Sequence, residues 1–227
     1  EKYGIALPDR QLACAPIGTP EADAYLGAMA AAANFAFVNR SVAAMHARRT
    51  LSKLFGIAED ETQVLYDVCH NIAKMEEHVV PAGPDAGKRK MLFVHRKGAT
   101  RAFAPGHPEL PPAYARTGQP VIIPGDMGRA SYLLAGTEKA MRDTFGSACH
   151  GAGRVMSRHE AVRRARGRDI TEELAAKGVW VRSSGRETLA EEMPEAYKDV
   201  EAVVGVIAGA GIARKVARFR PLCVIKG

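Results

Sequence analysis

The run Gly146-Ser147-Ala148-Cys149-His150-Gly151-Ala152-Gly153-Arg154 sets one imidazole among small residues, directly before two glycines that let a phosphate come close to the backbone. A histidine so placed can act as a nucleophile toward phosphorus. Arg154 and Arg158 follow it with planar guanidinium forks that match phosphate oxygens. The same residues also describe a polar turn ahead of a helix, and one histidine does not separate the two readings.

Three further segments carry groups that could serve such chemistry. Tyr66-Asp67-Val68-Cys69-His70-Asn71 holds a carboxylate, an imidazole and an amide close together, which suits a divalent cation beside a nucleotide. A lone histidine among apolar neighbours is more often a hydrogen-bonded core residue. His95-Arg96-Lys97-Gly98-Ala99-Thr100-Arg101 offers four cationic groups around a glycine, either for phosphate contact or as a solvated basic turn. Pro124-Gly125-Asp126-Met127-Gly128-Arg129-Ala130-Ser131 closes a strand-like run with glycines and a hydroxyl, so its backbone amides could cradle a base or a phosphate. Common nucleotide motifs are missing. No Walker-type phosphate loop occurs, Gly209-Ala210-Gly211 lacks dinucleotide-site spacing, and Lys198-Asp199 lacks the glycine that follows the lysine of lysine-dependent nucleic-acid ligases. If the protein forms a covalent nucleotide adduct, histidine is the better candidate for the nucleophile.

These segments need elements to hold them. Pro20 to Phe55 is alanine-rich, with Thr19 as a cap and Gly27 as its one glycine, and predicts a long helix; Glu59 toward Tyr66 predicts a second. Met91–His95 and Val121–Ile123 read as short strands around a proline-rich extended loop, Ala104 to Pro112. Ser131 to Thr144 reads as a strand and a short helix, Ser157 to Arg166 as a basic helix, Thr171 to Lys177 as a helix that Gly178 ends, and Val179-Trp180-Val181 as a strand. Glu187 to Glu192 is expected to be acidic and exposed, Val200 to Ile212 a buried helix closed by Gly209 and Gly211, and Pro221 to Gly227 a last strand carrying Lys226.

The bulk properties agree with a globular protein. The 227 residues are 47% hydrophobic and 25% charged, enough for a sizeable core. A formal charge of +7 and a pI near 9.4 suit a polyanionic partner or a basic solvated face. No apolar run reaches the length of a membrane span and no leader pattern is read at Glu1, so a cytoplasmic protein without a membrane partner is expected. Cys14, Cys69, Cys149 and Cys223 are too scattered for a zinc knuckle or a disulfide scaffold, although two of them directly precede a histidine.

Taken in order, Leu7 to Pro16, Ala28 to Asn39, His95 to Phe103, Gly146 to Arg158 and Ala196-Tyr197-Lys198-Asp199-Val200 resemble the C-terminal half of the RtcB family of RNA-splicing ligases, as does the terminus Val224-Ile225-Lys226-Gly227. The resemblance implies one α+β catalytic domain of mixed sheets with surrounding helices, of which residues 1–227 are the C-terminal portion. It also implies an enzyme that joins RNA ends bearing a 2',3'-cyclic phosphate or 3'-phosphate to 5'-hydroxyl ends, using GTP and manganese through a histidine-GMP intermediate, with a possible helper protein. On this likeness His150 is the guanylylated nucleophile and His70 a manganese ligand. Asn71, Pro124, Gly125, Asp126, Met127, Ser131, Gly151, Ala152, Gly153, Tyr197 and Lys226 contact the nucleotide, and charge and position put Arg154 and Arg158 against RNA phosphates.

Two departures from the family pattern bear on function. Asp126 stands where the family has serine or threonine, and a carboxylate beside phosphates repels them unless it faces guanine donors or a metal. The other metal ligands of the family, an aspartate, a cysteine and two histidines, fall before the region that resembles Leu7 onward. The chain alone is therefore expected to be inactive as a ligase and to expose apolar surface. The competing reading is a non-catalytic RNA-binding or assembly module that keeps the fold.

Overall fold

The computed structural model describes residues 2–226; Glu1 and Gly227, the last residue of the terminal motif, lie outside the described residues. The architecture is mixed α+β with several small sheets, as the sequence led us to expect. Two compact units divide between Ala73 and Lys74.

The first unit is dominated by helix α1 (Pro20–Phe55). Its ends are those the sequence marks: Thr19 Oγ1 accepts from the Ala22 amide, Pro20 opens the first turn, and Gly56 ends the helix at φ +68°. Ala22 and Ala33 are buried, while Phe35, Val38, Leu54 and Phe55 are exposed. The helix expected over Glu59 to Tyr66 is reduced to one 3-10 turn, Glu59–Glu61. Ala58 supplies no side-chain cap there, and the β-branched Thr62 and Val64 weaken any continuation. Arg48 instead donates to the Glu59 carbonyl through Nε at 3.1 Å.

The second unit holds the sheets. Strand β1 (Asn71–Val79), which begins at the unit boundary, pairs with β2 (Arg89–Lys97); β3 (Ala99–Arg101) pairs antiparallel with β6 (Ser147–Cys149). A three-stranded antiparallel sheet runs in the order β4 (Pro120–Pro124), β5 (Ser131–Gly136), β8 (Ala213–Phe219), with a register shift at Leu133/Leu134. Strands β7 (Trp180–Ser183) and β9 (Cys223–Lys226) pair in parallel. Short helices α2 (Glu138–Thr144), α3 (Arg158–Arg164), α4 (Ile170–Ala175), α5 (Arg186–Glu191) and α6 (Val200–Gly209) fill the connections. Each of α2, α3, α4 and α6 begins on a side-chain cap, from Thr137, Ser157, Asp169 and Asp199.

Two apolar clusters anchor these elements. One gathers Val121, Ile123, Tyr132 and Leu134 of the three-stranded sheet with Val200 and Val204 of α6 and with Ala148 and Ala152 on either side of His150. The other joins Met127 to α3, α4, α5 and Val179. Helix α6 is buried on one face only: Val206 is 71% exposed, which corrects the expectation of a buried helix through Ile212. The acidic stretch 187–192 is likewise not wholly exposed, because Leu189 packs into the second cluster.

Candidate active site

Strand β6 delivers His150. Its register on β3 pairs Ala99 with Cys149, so the imidazole emerges at the end of the ribbon, half-buried, beside Gly98. A Cβ on Gly98 would stand 3.5 Å from both Cδ2 and Nε2 of His150, and Gly98 already sits at φ +70°. After the histidine the turn is tied on two sides. The Ala152 amide donates to Pro124 O at 3.1 Å, and the Lys198 amide donates to Gly153 O at 3.0 Å. Arg154 then forms an isolated antiparallel bridge with Tyr197. Hydrogen bonds between chain segments thus bring 150–154, Pro124 and Tyr197 together. Burial pushes the Cys149 thiol up, so it stays protonated and apolar against the core.

The loop 124–131 is tightly folded. A Cβ on Gly125 would meet Ala130 O at 2.1 Å, and the Gly125 amide lies 3.4 Å from Ser131 Oγ as donor to it. Met127 is buried, which leaves its backbone as the part able to face a ligand; the same holds for Ala152. Asp126 is turned inward. Its Oδ1 accepts from the Gly128 amide at 2.9 Å, while Oδ2 is buried without a hydrogen bond, with Arg129 Nε 3.4 Å away. Burial raises this carboxyl above its ordinary value, against the Gly128 hydrogen bond and the Arg129 charge. A raised value means the folded state binds the proton more tightly, so the stabilising contribution is complete at acid pH. It is lost as pH rises from about 4, the ordinary carboxylate value. Asp126→Asn keeps the Gly128 contact and removes the buried charge. In paired thermal melts its stability is expected to gain on the original as pH rises toward neutrality. Parallel stability-versus-pH curves would refute this account.

Beside the turn, one carboxylate organises three of the residues singled out from sequence. Glu192 accepts a short hydrogen bond from Tyr197 Oη, lies 3.3 Å from Arg154 Nη1 and 3.4 Å from Lys226 Nζ. Burial disfavours its charge, but Tyr197, Lys226 and Arg154 more than offset that and hold the carboxyl below its usual range. Burial and the neighbouring carboxylate both raise the Tyr197 phenol. Arg154 also donates to Tyr197 Oη at 3.0 Å, to Glu191 O at 2.6 Å and to Met156 O at 3.1 Å. Its guanidinium is thus committed to this frame, whereas Arg158 is exposed, with Glu191 3.5 Å from its Nε. Sequence reasoning missed Glu192, since one glutamate in an acidic run gives no signal of convergence.

The likeness to known proteins bears directly on this arrangement. The family model of the tRNA-splicing ligase RtcB matches residues 1–227. The chain belongs to the RtcB family. It is 55% identical over 229 aligned residues to the tRNA-splicing ligase RtcB of Archaeoglobus fulgidus, covering all of this chain and 46% of that protein. For the RtcB of Methanococcus maripaludis the identity is 51%, over 47% of that protein, and for that of Pyrococcus furiosus 51%, over 23%. The chain thus spans about half, or less, of the length of these relatives.

Of the residues that the RtcB resemblance singles out, His70 and Asn71 belong to the first unit, both exposed, with Asn71 opening β1. The others belong to the second. Among the described residues no group of three or more His, Cys, Asp or Glu side chains converges as a metal site. The described residues therefore do not make up a manganese centre by themselves. The basic run 95–101 is not a free phosphate patch either: Arg96 is buried in an ion pair, and Arg101 pairs with Glu109 at 2.6 Å over the Phe103 ring. No helix among the described residues is long and apolar enough to cross a membrane.

Proposed function

We propose that this chain carries the nucleotide-transfer centre of an RNA ligase that joins 2',3'-cyclic phosphate or 3'-phosphate ends to 5'-hydroxyl ends. Support comes chiefly from His150 at the end of β6, in a glycine turn hydrogen-bonded to Pro124 on one side and Lys198 on the other. The imidazole nitrogen that lacks a proton attacks the α-phosphorus of GTP. An N–P bond forms as the P–O bond to pyrophosphate breaks, and pyrophosphate leaves with the electron pair. An oxygen of the RNA 3'-phosphate, which water first frees where the end is a 2',3'-cyclic phosphate, then attacks the guanylate phosphorus as the N–P bond breaks and its electron pair returns to the imidazole; the 5'-hydroxyl oxygen gives up its proton and displaces GMP as the new phosphodiester forms.

The chain's own groups have defined parts in this reading. The backbone of the 150–153 turn and of the 124–131 loop faces the nucleotide, together with Ser131. Lys226 and Tyr197, held by Glu192, line the same place. Arg158, exposed beside α3, meets RNA phosphate, while Arg154 chiefly braces Tyr197. Manganese, where bound, would neutralise phosphate charge; His70 would give it one ligand and residues outside this chain the rest. We place the reaction in the cytoplasm, with a helper protein as a possible partner.

Two incubations test the proposal. With labelled GTP and manganese, the intact protein should acquire one guanylate, mapped by peptide mass spectrometry to His150. The 227-residue chain alone should acquire none, because one metal ligand holds the ion weakly. Label on another residue of the intact protein would overturn the assignment, and strong labelling of the isolated chain would overturn the dependence on outside ligands.

A further inference from the structure

Arg96 of β2 is only 2% exposed, and so is Glu76 of β1. They form a bidentate ion pair, Nη1 to Oε1 at 2.7 Å and Nη2 to Oε2 at 2.8 Å. His78 closes the group with Nε2 3.1 Å from Glu76 Oε2. Burying such a pair costs nearly as much desolvation as its attraction returns, so it adds direction more than stability. The direction is toward β6. Arg96 Nε donates to Ser147 Oγ at 2.9 Å and Nη2 donates to Phe145 O at 2.9 Å.

The turn it holds resists its own backbone preference. Phe145 sits at φ +50°, a conformation that costs an L-residue about 1 kcal/mol or more, and its ring packs edge-on against His78 at 5.4 Å between centroids. Gly146 must follow as glycine, since a Cβ there would lie 2.6 Å from Phe103 Cδ1. From this turn only Ser147, Ala148 and Cys149 separate the clamp from His150. The downstream end of the same ribbon, Gly98, abuts the imidazole. Residues 96–98 therefore grip β6 at both ends, Arg96 where the strand begins and Gly98 where the histidine leaves it.

We propose that Arg96, oriented by Glu76, is a positioning residue for His150: it fixes the 145–147 turn and hence the place and direction of the imidazole. This rests on the reading of His150 as the guanylylated nucleophile. Neither group touches the nucleotide, so a loosened clamp lowers the rate at which bound GTP is attacked and leaves GTP binding in place.

The test uses the intact protein with Arg96→Lys, Ser147→Ala and the restoring Ser147→Thr. At saturating GTP with manganese, adduct formation should slow about tenfold or more in Arg96→Lys and about threefold in Ser147→Ala, with KM for GTP within about twofold. Without nucleotide or metal, amide exchange over residues 147–152 should quicken in both variants while β4 and β5 keep their protection. Ser147→Thr should regain the original rate. Unchanged rate and exchange in the folded variants would overturn the proposal, as would a pure KM effect. Should Arg96→Lys not fold, Ser147→Ala, which keeps the ion pair, decides by the same criteria. Absence of a His150 adduct in the unaltered protein would instead sink the functional reading, and this inference with it.

Discussion

In the intact protein His150→Ala is expected to form no detectable guanylate adduct and to join no RNA ends, a loss of about 10⁴-fold or more. The size of the effect follows from what stands around the imidazole. Cys149 is the adjacent nucleophile, but burial pushes its thiol up and its side chain packs against the core. Lys226 is held toward Glu192, and Tyr197, raised in its phenol, is hydrogen-bonded to the same carboxylate. His150→Asn should be as inactive, because an amide hydrogen-bonds but does not attack phosphorus. Both variants should keep the melting temperature, since the ring is only half-buried. Gel autoradiography with labelled GTP and a joining assay on 3'-phosphate RNA give the readouts. An adduct in either variant would move the nucleophile elsewhere.

What the sequence disclosed follows from where local chemistry alone decides structure. Helix α1 could be delimited because Thr19, Pro20 and Gly56 act within one turn of its ends. Strands β4 and β5 were readable because their apolar residues are buried in the sheet core. Strand β1 was not, because its two buried side chains are polar: Glu76, whose partner Arg96 lies 20 residues onward, and His78, which pairs with Glu76. Strand β8, an edge strand of the sheet, shows the same effect, its arginines and lysine masking the period. At the site, the glycine turn around His150 was legible as a run of special residues. Glu192 and Arg96 were not, since much of their meaning comes from contacts distant in sequence: Lys226 lies 34 residues from Glu192, and Ser147 lies 51 from Arg96. Arg96 is the sharper case: read by sequence as one of four cations of a phosphate contact or a solvated basic turn, it is among the most deeply buried side chains described.

Gly125→Ala should be among the most damaging single changes in the 124–131 loop, which we propose faces the nucleotide. The added Cβ would stand 2.1 Å from Ala130 O and 3.0 Å from Cβ and Cγ1 of Val200. Neither neighbour can give way cheaply. Ala130 O is backbone, fixed where the loop enters β5, and Val200 is fully buried at the start of α6. The loop must therefore move, at a cost of roughly 3 kcal/mol or more. Movement also parts the Gly125 amide from Ser131 Oγ and strains the Pro124 carbonyl that receives the Ala152 amide, so the His150 turn is disturbed with it. GTP affinity of the intact protein is expected to fall at least tenfold at temperatures where the variant is still folded. Gly167→Ala is the control: that glycine, outside both the 124–131 loop and the 150–153 turn, is at φ +76° with open space around its Cβ, so the change should cost about 1 kcal/mol of backbone strain and little affinity. Calorimetry of unfolding and of GTP binding separates the two effects. If Gly125→Ala binds GTP as tightly as the original below its melting range, the loop is a structural corner and the nucleotide lies against other residues.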